Sequence, residues 1–237
     1  MTATDRRLLP IWGKVKAGER LSFDDGMVCL TTADIFTLGR IADWAKQRKS
    51  GQHVYYVFNR QINPTNVCVL SCKFCDYATT KQAPNAYEMT LQEILAKCRG
   101  GIHEAHIVGG MHPDWPFEKY VEIVREIRKA YPAITIKAYT AVEIDWFAEI
   151  SGRSIENVLQ VLRDAGLDTL PGGGAEVFSE RVHQAMYKPK IGAERWLAVH
   201  RAAHRMGIPT NATLLYGHME TYEERLNHLV TLRELED

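Results

Sequence analysis

The chain has 237 residues, 46% hydrophobic and 24% charged, with 29 basic and 29 acidic side chains and a net charge of zero. That balance suits an ordinary globular domain and argues against a nucleic-acid-binding surface. No apolar run approaches the ~20 residues a membrane helix needs, and no secretory leader precedes the five cysteines, so the chain reads as cytoplasmic with no membrane partner.

Residues 1–50 read as a helical lead-in and residues 51–237 as the main domain. Arg6–Lys16 is a short helical segment, Leu21–Cys29 a turn region bearing Gly and Asp, and Thr32–Arg48 a helix capped by Thr31 or Thr32. His53–Ile62 is rich in β-formers and predicts a strand. From there strands and helices alternate. Thr90 and Glu93 form a capping box for a helix reaching Arg99. Further strands are predicted at Glu104–Val108, Thr135–Thr140, Asp168–Leu170 and Thr210–Leu215. Helices are predicted at Phe117–Ala130, Val142–Ile150, Ser154–Ala165, Arg195–Met206 and from Thr221 onward. Five such βα units predict a parallel sheet, either wound open or curling into a barrel. The last helix stops with no cap and no closing element, so the chain reads as C-terminally truncated.

The most specific local signal is Cys68, Cys72 and Cys75 in the spacing CxxxCxxC, with Phe74 just before the last cysteine. Three thiolates on one short loop can hold three irons of a 4Fe–4S cluster, leaving the fourth iron open to a small molecule. Two plainer readings stand beside this: three ligands of a zinc site completed by a histidine, or inert thiols. No second ligand pair supports zinc, and Cys29 and Cys98 are isolated, as buried small hydrophobes usually are. His200 and His204 are spaced i, i+4 and can share a metal, but such pairs mostly lie on a solvated helix face.

Other clusters follow predicted strands, the edge that carries chemistry in α/β barrels. Gly109-Gly110 opens the run GGMHP, either a tight turn or a place where backbone approaches a ligand. The run PGGGAE ends in Glu176, and YGHME ends in Glu220; each carboxylate can also simply serve a helix start. Glu143 is a candidate polar contact, and Lys137 a candidate ion-pair partner on the sheet.

The cysteine spacing with its aromatic resembles the signature of the radical S-adenosylmethionine (SAM) enzymes. The resemblance implies a partial (βα) TIM-type barrel with N-terminal helices. It implies a 4Fe–4S cluster on Cys68, Cys72 and Cys75, with SAM as co-substrate. Gly109 and Gly110 stand where that family's glycine turn meets the SAM amino group, although no acidic residue follows Gly110. Glu176 would accept from the SAM ribose hydroxyls, and Glu220 would lie near adenine and ribose.

The motifs GGMHP, KAYTAVEID, LPGGGAE and LLYGHMET narrow the resemblance to the group acting in the futalosine route to menaquinone. TAVEIDWFA and LLYGHMET favour its aminofutalosine-forming branch over the dehypoxanthinylfutalosine cyclase and the F420-cofactor synthase subunit. That branch adds the 5′-deoxyadenosyl radical to 3-[(1-carboxyvinyl)oxy]benzoate, loses bicarbonate and gives 6-amino-6-deoxyfutalosine. The implied partners are this aromatic enol ether and an electron donor such as flavodoxin or ferredoxin. The alternative of another class is a non-catalytic iron–sulfur or zinc protein.

Overall fold

A computed structural model describes residues 3–237. The helices and strands, in chain order, are α1 (Leu8–Ala17), α2 (Phe23–Thr31), α3 (Ile35–Ser50), β1 (Asn59–Ile62), α4 (Leu91–Lys97), β2 (Glu104–Ile107), α5 (Phe117–Ala130), β3 (Thr135–Ala138), α6 (Ala141–Ser151), α7 (Ile155–Ala165), α8 (Glu180–Met186), α9 (Ala193–Arg205) and α10 (Tyr222–Glu236). They fall into two compact units. One runs to Tyr56 and includes Met219–Asp237; the other is Val57–His218.

The smaller unit packs α1, α2 and α3 around Leu8, Ile11 and Ile41, with α10 against α2. The region expected as a turn is helix α2, because Ser22 and Asp25 cap each other reciprocally: Asp25 N–H donates to Ser22 Oγ at 3.2 Å and Ser22 N–H to Asp25 Oδ2 at 2.8 Å. Gly26 sits inside it because a Cβ there would meet Leu226 Cδ1 at 2.6 Å, so the glycine lets α10 approach. Helix α3 is capped by Asp34, which accepts from Thr37 N–H at 3.1 Å, and not by Thr31 or Thr32. The predicted strand from His53 is present only as β1. Val54, Tyr55 and Tyr56 find no strand partner and stay exposed.

In the larger unit β1, β2 and β3 form a parallel sheet in chain order. The two further predicted strands are reduced to single parallel bridges, Lys137 to Thr169 and Leu170 to Thr210, that carry the same order onward. The result is the arc of a (βα) barrel. Among the described residues nothing pairs the outer edge of β1 with the last strand, so the arc stays open. One face of the sheet, with Ile62, Ala105, Ile107, Ile136 and Ala138, is fully buried. Helix α5 explains how: Phe117, Tyr120, Val121, Val124 and Ile127 recur at helical spacing and are all buried. Each such side chain contributes about 1.5–3 kcal/mol.

Of the His200 and His204 pair, expected on a solvated face, His204 is exposed and His200 is not. His200 is wholly buried, stacked on Trp196 with ring centroids 3.6 Å apart, and its Nδ1 lies 2.9 Å from Thr210 Oγ1. Burial pushes its pKa down to about 3, so it stays neutral.

Candidate functional site

Strand β1 runs into the cysteine loop, and that loop is fixed chiefly by backbone. Cys68 N–H donates to Thr79 C=O at 3.0 Å, Val69 N–H to Met111 C=O at 3.0 Å, and Lys73 N–H to Met186 C=O at 2.9 Å. Asn66 ties the loop's return through Tyr87 N–H and Asn85 C=O. Leu70 N–H points at Cys68 Sγ, 3.4 Å away.

The turn after β2 is pressed onto this loop. Gly110 N–H donates to Thr65 C=O at 2.8 Å, and a Cβ on Gly110 would stand 2.1 Å from Val67 O. Only glycine fits there. His112 of the same run is buried; its Nδ1 accepts from Asp114 N–H, so its Nε2 carries the proton and faces Glu88 Oε1 at 3.0 Å. It braces the turn from behind.

Between loop and turn lies a cavity of about 200 Å³. Cys68, Cys72 and Cys75 line it together with Gly109, Gly110, Glu143 and Lys190. Glu143 comes from α6, where it completes a capping box with Thr140 that the sequence reading missed. Its Oε2 accepts from Thr140 N–H at 2.7 Å and Thr140 Oγ1 at 2.8 Å, while Oε1 accepts from Gly109 N–H at 3.1 Å. Burial raises its pKa to about 7 against the pull of these donors.

Lys190 is the other charged residue of the lining, and no sequence signal marked it. Glu176 holds its ammonium in an ion pair, and the Phe74 ring lies 4.9 Å from it. Burial pushes the Cys72 thiol up, and Lys190 pulls it back toward thiolate. Glu176 does not itself line the cavity, nor does it start a helix. It sits before α8 in a left-handed conformation, φ +50°. Within the glycine run, a Cβ on Gly172 would meet Ala212 Cα at 2.5 Å, so the run lets two strand ends touch and is no mere flexible link. Glu220 belongs to the smaller unit, where it pairs with Arg225 Nη2 at 2.5 Å.

A parallel βα arc with three cysteines and a glycine turn on one cavity at the carboxyl ends of its strands defines a radical SAM fold, and residues 62–232 match the model of the radical SAM superfamily. The chain belongs to that superfamily. It is 44% identical over 237 residues to the aminodeoxyfutalosine synthase of Thermus thermophilus, covering 98% of this chain and 64% of that one. It is 38% identical over 208 residues to a 5-amino-6-(D-ribitylamino)uracil–L-tyrosine 4-hydroxyphenyl transferase of Methanopyrus kandleri, covering 86% and 56%. The chain thus spans about three fifths of the length of these relatives. Among solved structures, methylornithine synthase (PylB) matches with a TM-score of 0.76 at 19% identity over 95% of this chain and 64% of that one, which shows the shared fold. Among the described residues no helix is long and apolar enough to cross a membrane.

Proposed function

We propose that this chain is the SAM-cleaving part of an aminodeoxyfutalosine synthase, which adds an adenosyl radical to an aromatic enol ether in menaquinone biosynthesis. The observation that carries the reading is one cavity lined at once by three cysteines and the Gly109–Gly110 turn. The identity to aminodeoxyfutalosine synthases supports it further.

Cys68, Cys72 and Cys75 would ligate a 4Fe–4S cluster. The donor set fits: soft thiols gathered on one loop, with a backbone N–H aimed at one sulfur. The bound cluster supplies the electron that cleaves SAM.

The protein's residues bind and orient. The N–H groups of Gly109 and Gly110 are taken by Glu143 and Thr65, so the turn offers its carbonyl oxygens to an ammonium group. Glu143, a buried carboxyl with its pKa raised to about 7, and the Lys190 ammonium give the cavity one acid and one cation to set beside the zwitterionic end of SAM. Glu176 acts on the ligand through Lys190, its ion-pair partner, at the ribose or carboxylate side. Holding two reactants in attack geometry is the main task of such a site. The electron would come from a flavodoxin- or ferredoxin-like donor in the cytoplasm.

Anaerobic turnover with isotope-labelled SAM and 3-[(1-carboxyvinyl)oxy]benzoate tests the reading. The label is expected in 6-amino-6-deoxyfutalosine, with free 5′-deoxyadenosine only a minor leak. Stoichiometric 5′-deoxyadenosine without an adenosylated product would move the chain to the hydrogen-abstracting branches of the same group.

A further inference from the structure

The sheet face turned away from the helices carries a polar row. Register sets Gln61, His106 and Lys137 side by side, and Thr169 continues the row through its bridge to Lys137. Alternation along a strand puts Val108 on the same face as His106, one two-residue step of about 6.6 Å farther along. Val108 lines the cavity of the three cysteines. The row therefore lies directly beneath that cavity.

Glu104, one step deeper, organises the row. Its side chain is only 8% exposed, and its Oε2 holds Lys137 Nζ at 2.9 Å. Its Oε1 is buried with no hydrogen-bond partner and faces His106 Nδ1 at 3.9 Å. A buried carboxylate oxygen left without a donor is costly, so it calls for a reason. One ammonium with N–H groups to spare, one half-buried imidazole and one unsatisfied acceptor make a site poised for a further polar group.

We propose that Lys137 and His106, positioned by Glu104, form the floor of the substrate site and take the ring carboxylate of the aromatic acid. This rests on the function proposed above. The double bond of that substrate must face the cysteine loop, so the far side of its ring points down the strands toward this row. A two-residue step matches the span of a substituted benzene ring. Glu104 keeps the ammonium in place before the ligand arrives. The carboxylate then receives N–H donors from lysine and imidazole.

Calorimetric binding of 3-[(1-carboxyvinyl)oxy]benzoate and of its ring carboxamide to anaerobically purified protein tests this. The natural sequence is expected to bind the acid about 10- to 100-fold more tightly than the amide. Lys137→Gln is expected to bind both alike, with unchanged iron content and a raised KM at similar kcat. An acid-over-amide preference that persists in Lys137→Gln overturns the proposal. If that variant fails to fold because Glu104 loses its partner, the double variant Glu104→Gln with Lys137→Gln removes both charges, and the same two outcomes decide. A natural chain that neither binds nor turns over the diacid sinks the functional reading as well. Turnover by the natural chain with the preference kept in the variant sinks only the floor.

Discussion

The cavity has one lining made of backbone and another made of charge. The cysteine loop and Gly109–Gly110 turn meet at main-chain contact, with Gly110 so close to Val67 that no Cβ fits. Across the same lining stand Glu143, fixed by three donors, and Lys190, fixed by one carboxylate and one ring. The backbone lining tolerates no change of shape. The charged lining can change chemistry while shape is kept, so substitutions in the two should fail differently.

The largest effect is expected at the cysteines. Cys72→Ala leaves two thiols and no spare one nearby, so cluster loading should fall to background. Full iron content and SAM cleavage in that variant would remove the cluster assignment. Gly110→Ala comes next. Its methyl would collide with a backbone oxygen rather than a movable side chain, at a cost of about 3 kcal/mol or more. Denaturant unfolding should show this as a lowered midpoint. An unaffected midpoint would mean that loop and turn move apart easily.

Glu143 sharpens the contrast through pH. Its folded-state pKa of about 7 lies above the ordinary 4.5, so the folded state binds the extra proton. Its contribution is most favourable below pH 4.5 and is lost as pH rises through 7, a change on the order of 3 kcal/mol. Glu143→Gln should flatten that part of the stability curve, as measured by unfolding at pH 5, 6, 7 and 8. A curve parallel to that of the natural chain would place the titration elsewhere. The smallest effect is expected at Glu176→Gln. Loss of its charge frees Lys190 and should weaken SAM binding several-fold, about 1 kcal/mol, while iron content holds. Equal loss of both would make the ion pair a structural strut.

Much of this was legible in the chain. The cysteine spacing, the Thr90 capping box and the amphipathic run of α5 are local signals, and each appears where local rules put it. What was not legible depends on distant partners. Val54, Tyr55 and Tyr56 have strong β preference, yet a strand exists only where a neighbour supplies hydrogen bonds. Gly26 argued for a turn because the leucine that needs its space lies 200 residues on in sequence. Helix α8 is a short segment begun by Ser179, too brief for a periodic pattern. Lys190 gave no signal at all. Its place in the cavity comes from Glu176, 14 residues earlier and across helix α8, and from the distant Phe74, and no spacing encodes that.

Tyr139 closes β3 with φ +65°, a conformation rare for a bulky residue. Strand alternation would have aimed its ring at the same face as Lys137. The left-handed step turns it back among Tyr120 and Phe147, where its hydroxyl donates to Tyr120 C=O at 2.8 Å. The phenol ring is thereby taken off the sheet face that carries Lys137 and packed into an aromatic cluster with Tyr120 and Phe147. A single backbone angle thus decides whether the aromatic side chain directly after β3 fills the face of Lys137 or leaves it open.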